Sequence, residues 1–151
     1  KYDNVRIGVN SRLDTIQAAI LQVKLKAFAN HEVTDVNRVA GHYNERLKDI
    51  VEIPYIPEGY ISSFAQYTIK LTNKAERDNL QTKLKEENIP SMIYYVKPMH
   101  KQEAFSDLGY SENACPVTNE LCDTVLSLPM HPYLSEEEID QVCKVIKEFM
   151  N

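Results

Sequence analysis

Apolar and polar positions follow two periods along this chain, and the switches between them mark its elements. Ile16, Ala19, Ile20, Val23 and Ala27 recur every three or four residues, the spacing of one helical face. Asp14 stands just before Thr15 with the side-chain acceptor a helix start requires, so a helix is predicted to open there and bury that stripe. "NHEVTD" interrupts the pattern, and Thr34 is the expected cap of a second helix with Val36, Val39, Ala40, Tyr43, Leu47 and Ile50 on one face. Pro54, Pro57 and Gly59 then mark a loop. Beyond it, "FAQYTIKL" shortens the period to two, with Phe64, Tyr67, Ile69 and Leu71 on one side of a strand.

The second half repeats this alternation of elements. Asn73 with Glu76 three residues later resembles a capping box opening the helix "KAERDNLQTKLKEEN", which Pro90 stops. "SMIYYV" reads as another strand. A helix led by Pro116 carries Val117, Leu121 and Val125 four apart, and "VLSLP" is a further strand. Ser135 and Glu138 form a capping box for a last helix whose stripe is Ile139, Val142, Cys143, Ile146 and Met150. Strands separated by helices predict an α/β (α+β) sandwich, a small three- to four-stranded sheet covered by helices on one side and preceded by two long helices. The composition shift near Pro54 divides the chain into a helical arm, residues 1–50, and a small α/β domain, residues 51–151.

The chain has 151 residues and a net charge of -5, which works against nonspecific nucleic-acid binding because that binding rests on Lys and Arg neutralising phosphates. No apolar run reaches the length of about 20 residues that a membrane span needs, and no charged-then-apolar leader opens the chain, so the expected compartment is cytoplasmic. Cys115, Cys122 and Cys143 form no C-x-x-C pair and have no histidine at zinc-ligand spacing, so free thiols and no metal site are expected. The opening "KYDNVRIG" lacks an initiator methionine and an obvious first element, which suggests a piece of a longer protein.

Candidate chemistry gathers at a few places. Asn10, Ser11 and Arg12 precede the first helix, either as a polar loop that solvates the turn or as a collar held near the positive end of a helix dipole, where anions are favoured. Of the four histidines, His31 and His42 fall at solvent-facing phases. His100 in "YYVKPMHKQ" and His131 in "LPMHPYL" each follow an expected strand in a proline-stiffened loop, a common place for functional groups. Taken alone, either is read first as a turn imidazole bonded to a backbone carbonyl. Tyr94 and Tyr95 beside Lys97 suit stacking on a flat ligand or plain packing. Four glycines and no Gly-rich loop, H-E-x-x-H or G-x-S-x-G leave no complete active site visible.

Taken in order, "GVNSRLDTIQAAIL", "SSFAQYTIKL", "NIPSMIYYVKPMHKQEAF", "LGY" and "DTVLSLPMHPYLSEEEIDQV" resemble the C-terminal part of the DegT/DnrJ/EryC1/StrS family. These are pyridoxal-phosphate-dependent nucleotide-sugar aminotransferases of fold type I. "NSRLDTIQAAIL" with "SLPMHPYLS" is most similar to the branch acting on UDP-linked 3-keto hexuronic acids for surface polysaccharides. The resemblance implies a homodimer in which a large N-terminal domain carries the Schiff-base lysine. The whole enzyme would move an amino group from glutamate to a nucleotide-linked keto sugar. None of this chain's lysines sits in the family's Schiff-base motif, so the chain alone is expected to lack activity and not to hold pyridoxal phosphate. The resemblance gives Asn10 the phosphate of the neighbouring subunit's cofactor, and Arg12 a substrate carboxylate or phosphate. Tyr95 and His100 fall on substrate-contact positions, as does Tyr94, which replaces a family histidine; His131 is structural. Two alternatives stay open: a 4-keto-6-deoxy sugar aminotransferase of the same family, and a nonenzymatic α/β dimerisation or ligand-sensing module.

Overall fold

A computed structural model describes residues 3–151 of the chain. After an exposed irregular segment over residues 3–14, helix α1 (Thr15–Ala27) opens where the sequence placed it, with Asp14 accepting the Gln17 N–H at 2.8 Å. It does not end at "NHEVTD". The helical path continues through one wide π turn (Phe28–Glu32) into α2 (Val33–Leu47), and Thr34 lies inside that path rather than capping a new helix. The stretch contains neither Pro nor Gly, so nothing forces the backbone out of helical dihedrals.

The two helices differ in what they bury. In α2, Val36, Val39, Ala40, Tyr43 and Leu47 are buried as their spacing predicted. In α1 no residue is buried, and Ile16, Ile20 and Val23 are 74%, 60% and 70% exposed. The expected buried stripe of α1 is therefore corrected: periodicity makes the apolar face, but α2 alone lies against the core of this chain.

The sheet is smaller than expected. Strands β1 (Tyr67–Lys70) and β2 (Val125–Leu128) pair antiparallel, Tyr67 opposite Leu128 and Lys70 opposite Val125, and no third strand joins them among the described residues. "SMIYYV" contributes a single bridge, Met92 to Ser127, through hydrogen bonds of 3.0 and 2.7 Å. Glu52 makes a matching single bridge to Lys70 on the far side of β1. Four segments thus lie side by side, but only the middle two run long enough to be strands. At the start of "FAQYTIKL", Phe64 adopts a positive φ of 39°, unfavourable for a bulky side chain, so regular pairing begins only at Tyr67.

One face of the sheet carries the core. Tyr67 and Ile69 of β1 and Leu126 and Leu128 of β2 pack with α2, with α3 (Lys74–Glu86) and with α5 (Glu136–Met150). The Tyr43 and Tyr67 rings stack at 4.8 Å, and their hydroxyls donate to the Pro129 carbonyl and to Asn44 Oδ1 at 3.0 and 2.6 Å. Burial pushes both phenol pKa values up. Helix α5 starts on the capping box of Ser135 and Glu138 and buries Ile139, Val142, Cys143 and Ile146, with Met150 half-buried. At α3, Asn73 caps the Glu76 N–H, but the Glu76 carboxylate takes the N–H of Thr72 instead of completing the box. Asn88 in the left-handed region ends that helix, two residues before Pro90.

Candidate functional site

The other face of the sheet, where the Thr68 and Ser127 hydroxyls bond at 2.8 Å, looks toward helix α4 (Pro116–Thr124) and the loop over residues 94–102. Between them lies a cavity of about 640 Å³. Thr68 and Val125 come from the sheet and Thr118, Leu121 and Cys122 from α4, while Tyr94, Tyr95, Lys97, Pro98, Met99, Gln102 and Asn4 close it. Tyr94 and Tyr95, joined by a cis peptide bond, set their rings edge to face at 5.6 Å and remain 36% and 55% exposed. Such partly exposed rings leave area to bury against a ligand. The Lys97 ammonium contacts Asp3 at 2.6 Å.

An adjoining cavity of about 460 Å³ shares Met99 and Thr118 with the first and is lined also by His100, Phe105, Leu108, Tyr110 and Cys115. His100 sits in a short 3₁₀ turn (Met99–Lys101), its ring edge-on to Tyr110 at 6.5 Å. Its Nε2 is buried with no hydrogen-bond partner among the described residues. A buried polar atom in that condition is costly, and His100 is one of the residues lining this cavity.

Asn10 and Arg12 lie outside both cavities, exposed on the segment that runs from Asn4 to the Asp14 cap. The chain therefore gathers Tyr94 and Tyr95 in one cavity and His100 in the next, and leaves the amide and guanidinium apart from them. At the other end of the helical path, Glu32 is almost buried in the π turn. Its carboxylate accepts from the Tyr133 hydroxyl at 2.7 Å and contacts Lys24 at 3.4 Å. The Tyr133 hydrogen bond, more than the Lys24 charge, holds this carboxyl below the usual range.

His131 accepts the Tyr133 N–H at 3.2 Å. His31 is half-exposed and contacts Asp35 at 2.8 Å, whereas His42, expected to face solvent, has only 20% of its side chain exposed and reaches Glu136 at 3.3 Å. Cys122 and Cys143 are buried free thiols and Cys115 is half-buried. Burial raises the Cys143 pKa to about 11. No cluster able to hold a metal ion occurs among the described residues, and no helix there is long and apolar enough to cross a membrane.

Sequence reasoning passed over the buried polar residues Arg77 and Gln102 beside the larger cavity, as it did Glu32. Arg77, 1% exposed, donates through Nη1 to the carbonyls of Cys122 and Val125 at 3.0 and 3.3 Å, joining α3 to the floor of the larger cavity. The sign was present: a charged residue occupies the stripe completed by Leu80 and Leu84. Gln102, 3% exposed, gave no sign, because it sits in a loop with no period.

The sequence profile of the DegT/DnrJ/EryC1/StrS aminotransferase family matches residues 1–147, and the chain belongs to that family. Over 147 residues it is 39% identical to the UDP-2-acetamido-2-deoxy-3-oxo-D-glucuronate aminotransferase of Pseudomonas aeruginosa, which covers 97% of this chain and 39% of that protein. It is 38% identical over 151 residues to the UDP-N-acetyl-3-dehydro-alpha-D-glucosamine 3-aminotransferase of Acidithiobacillus ferrooxidans, covering 99% and 39%. Among solved structures, a DegT DnrJ EryC1 StrS aminotransferase from Brucella abortus matches with a TM-score of 0.82 and 50% identity, over 100% of this chain and 39% of that one. DesV of S. venezuelae matches with a TM-score of 0.84 and 25% identity, over 100% and 40%. The chain thus spans about two fifths of the length of the relatives it matches.

Proposed function

We propose that this chain is the C-terminal part of a pyridoxal-phosphate-dependent aminotransferase that moves an amino group from glutamate to the keto carbon of a UDP-linked 3-keto hexuronic acid, in surface polysaccharide biosynthesis. The observation that carries the reading is the 39% identity, along nearly the whole chain, to the Pseudomonas aeruginosa enzyme named for such a uronate. In this reading residues 1–50 are the arm that joins a large domain carrying the reactive lysine, and residues 51–151 form the small domain.

The residues present suit part of the cofactor. Asn10 offers an uncharged amide N–H donor on an exposed segment near a helix start, appropriate for a phosphate across a homodimer interface. The cavity's own lysine, Lys97, contacts Asp3 and is no anchor for the cofactor ring. When bound, pyridoxal phosphate supplies the electron withdrawal that amino transfer requires. This chain's part is to bind and orient. The Arg12 fork matches the planar carboxylate of a uronate, Tyr94 and Tyr95 offer ring faces to the nucleotide-linked sugar, and His100 lines the adjoining cavity as a further substrate contact.

The test uses the whole protein with Arg12→Ala. Losing a charge-assisted contact to the uronate carboxylate lowers kcat/KM on the UDP-3-keto uronate about 10- to 100-fold, with a neutral keto sugar hardly affected. Equal losses on both substrates favour the neutral 4-keto-6-deoxy sugar. Failure of the whole protein to bind pyridoxal phosphate, followed by its visible absorption, favours the nonenzymatic module.

A further inference from the structure

We propose that Gln102 is a positioning residue of the substrate site, latching the segment that carries Asn10 and Arg12 onto the loop that carries Tyr94, Tyr95 and His100. The proposal rests on the substrate-binding reading of those residues given above. Gln102 lies between two 3₁₀ turns, outside any helix or strand, with its side chain turned inward and 3% exposed. A primary amide is buried so completely only where its oxygen and nitrogen both find partners. Its Oε1 accepts the Asn4 N–H at 2.6 Å, and its Nε2 donates to the Lys97 carbonyl at 3.0 Å.

The grip on Asn4 is two-sided. Its N–H goes to the Gln102 side chain, and its carbonyl accepts the Ala104 N–H at 2.9 Å. One residue earlier, Asp3 takes the Lys97 ammonium at 2.6 Å. Asn4, Lys97 and Gln102 also wall the cavity beneath Tyr94 and Tyr95, so the latch belongs to the cavity itself. From Asn4 the chain runs exposed over residues 5–13 until Asp14 caps α1. A segment tied at both ends samples far fewer conformations than one tied at a single end. With the latch closed, Asn10 and Arg12 are carried between two fixed points, one of them on the tyrosine loop. With the Gln102 bond open, that end keeps the Ala104 bond to the Asn4 carbonyl and the Lys97–Asp3 pair, a looser hold, while α1 holds the other. An apolar side chain cannot do this work, because the grip needs an acceptor for Asn4 and a donor for Lys97 in one group.

Two variants of the whole protein test this from opposite sides. Gln102→Leu keeps the volume and removes the side-chain bonds to Asn4 and to the Lys97 carbonyl. Asn4→Pro removes the N–H donated to Gln102 without touching a buried side chain. Each opens the Asn4–Gln102 bond and is expected to raise KM for the nucleotide-linked keto sugar about tenfold, with kcat little changed and the melting temperature held within a few degrees. Hydrogen exchange at the Ala104 amide, which bonds to Asn4, is expected to quicken in both. Unchanged KM in Asn4→Pro with a quickened Ala104 amide overturns the proposal, because the latch would then open without consequence for substrate. A loss of kcat in step with melting temperature overturns it too, as the mark of a merely structural residue. A wild-type protein inactive on every nucleotide keto sugar sinks the functional reading and the proposal together, and it is recognised before any variant is made.

Discussion

Replacing Arg77 by methionine tests how the floor of the larger cavity is held. The Leu71 N–H bonds to the Thr124 carbonyl, so the next cross-strand pair, Lys70 and Val125, exchanges no ladder bonds and the Val125 carbonyl points away from β1. The Cys122 carbonyl belongs to the last turn of α4, where no intrahelical donor remains. Both carbonyls are served by Arg77 Nη1, and methionine keeps most of the apolar stem while removing that donor. An orphaned buried acceptor costs about 1–3 kcal/mol, so two together give an expected loss of about 3 kcal/mol or more. With a urea slope of about 2 kcal/mol/M, the unfolding midpoint of the chain falls by about 1.5 M. Circular dichroism against urea reads this directly, with the slope unchanged if the native state is otherwise intact. Because Cys122 and Val125 line the cavity, the same variant should weaken sugar binding by the whole protein. A loss below about 1 kcal/mol would refute the reasoning, since it would mean that these carbonyls do not depend on the guanidinium.

Tyr133→Phe removes the leading cause of the lowered Glu32 pKa. A carboxyl whose folded pKa is depressed adds stability above its unfolded value and loses it as pH falls through the folded one. The stability gap between wild type and Tyr133→Phe is therefore full at neutral pH and closes below the ordinary glutamate range; urea midpoints at neutral and acid pH measure it, and a gap independent of pH would contradict the assignment. For the thiols, Cys115 is expected to react with a disulfide reagent in the native chain, whereas Cys143, 2% exposed with its pKa pushed up to about 11, waits for unfolding. At pH 8 such a group is thiolate only about one part in a thousand, so equal native rates for Cys115 and Cys143 would argue against this packing.

Features written within a few neighbouring residues were legible before any fold was known. The α5 capping box spans Ser135 to Glu138, the α1 cap spans Asp14 to Gln17, and the stripes of α2 and α5 repeat within a single helical face. These are short-range hydrogen bonds and periodicities, complete in a window of the chain, so the sequence by itself determined the starts of α1 and α5, the apolar faces and the family, though not the expected start at Thr34. Periodicity names an apolar face without naming its cover, which is why α1 and α2 read alike and only α2 is buried. The tertiary structure alone decided that "SMIYYV" bridges at one residue, that Gln102 grips Asn4 from 98 positions away, and that Tyr133 reaches Glu32 across 101. Such pairings depend on where distant segments come to rest. No local pattern encodes that, because each partner is chemically complete in its own surroundings until the packed core brings the two within a hydrogen bond of each other.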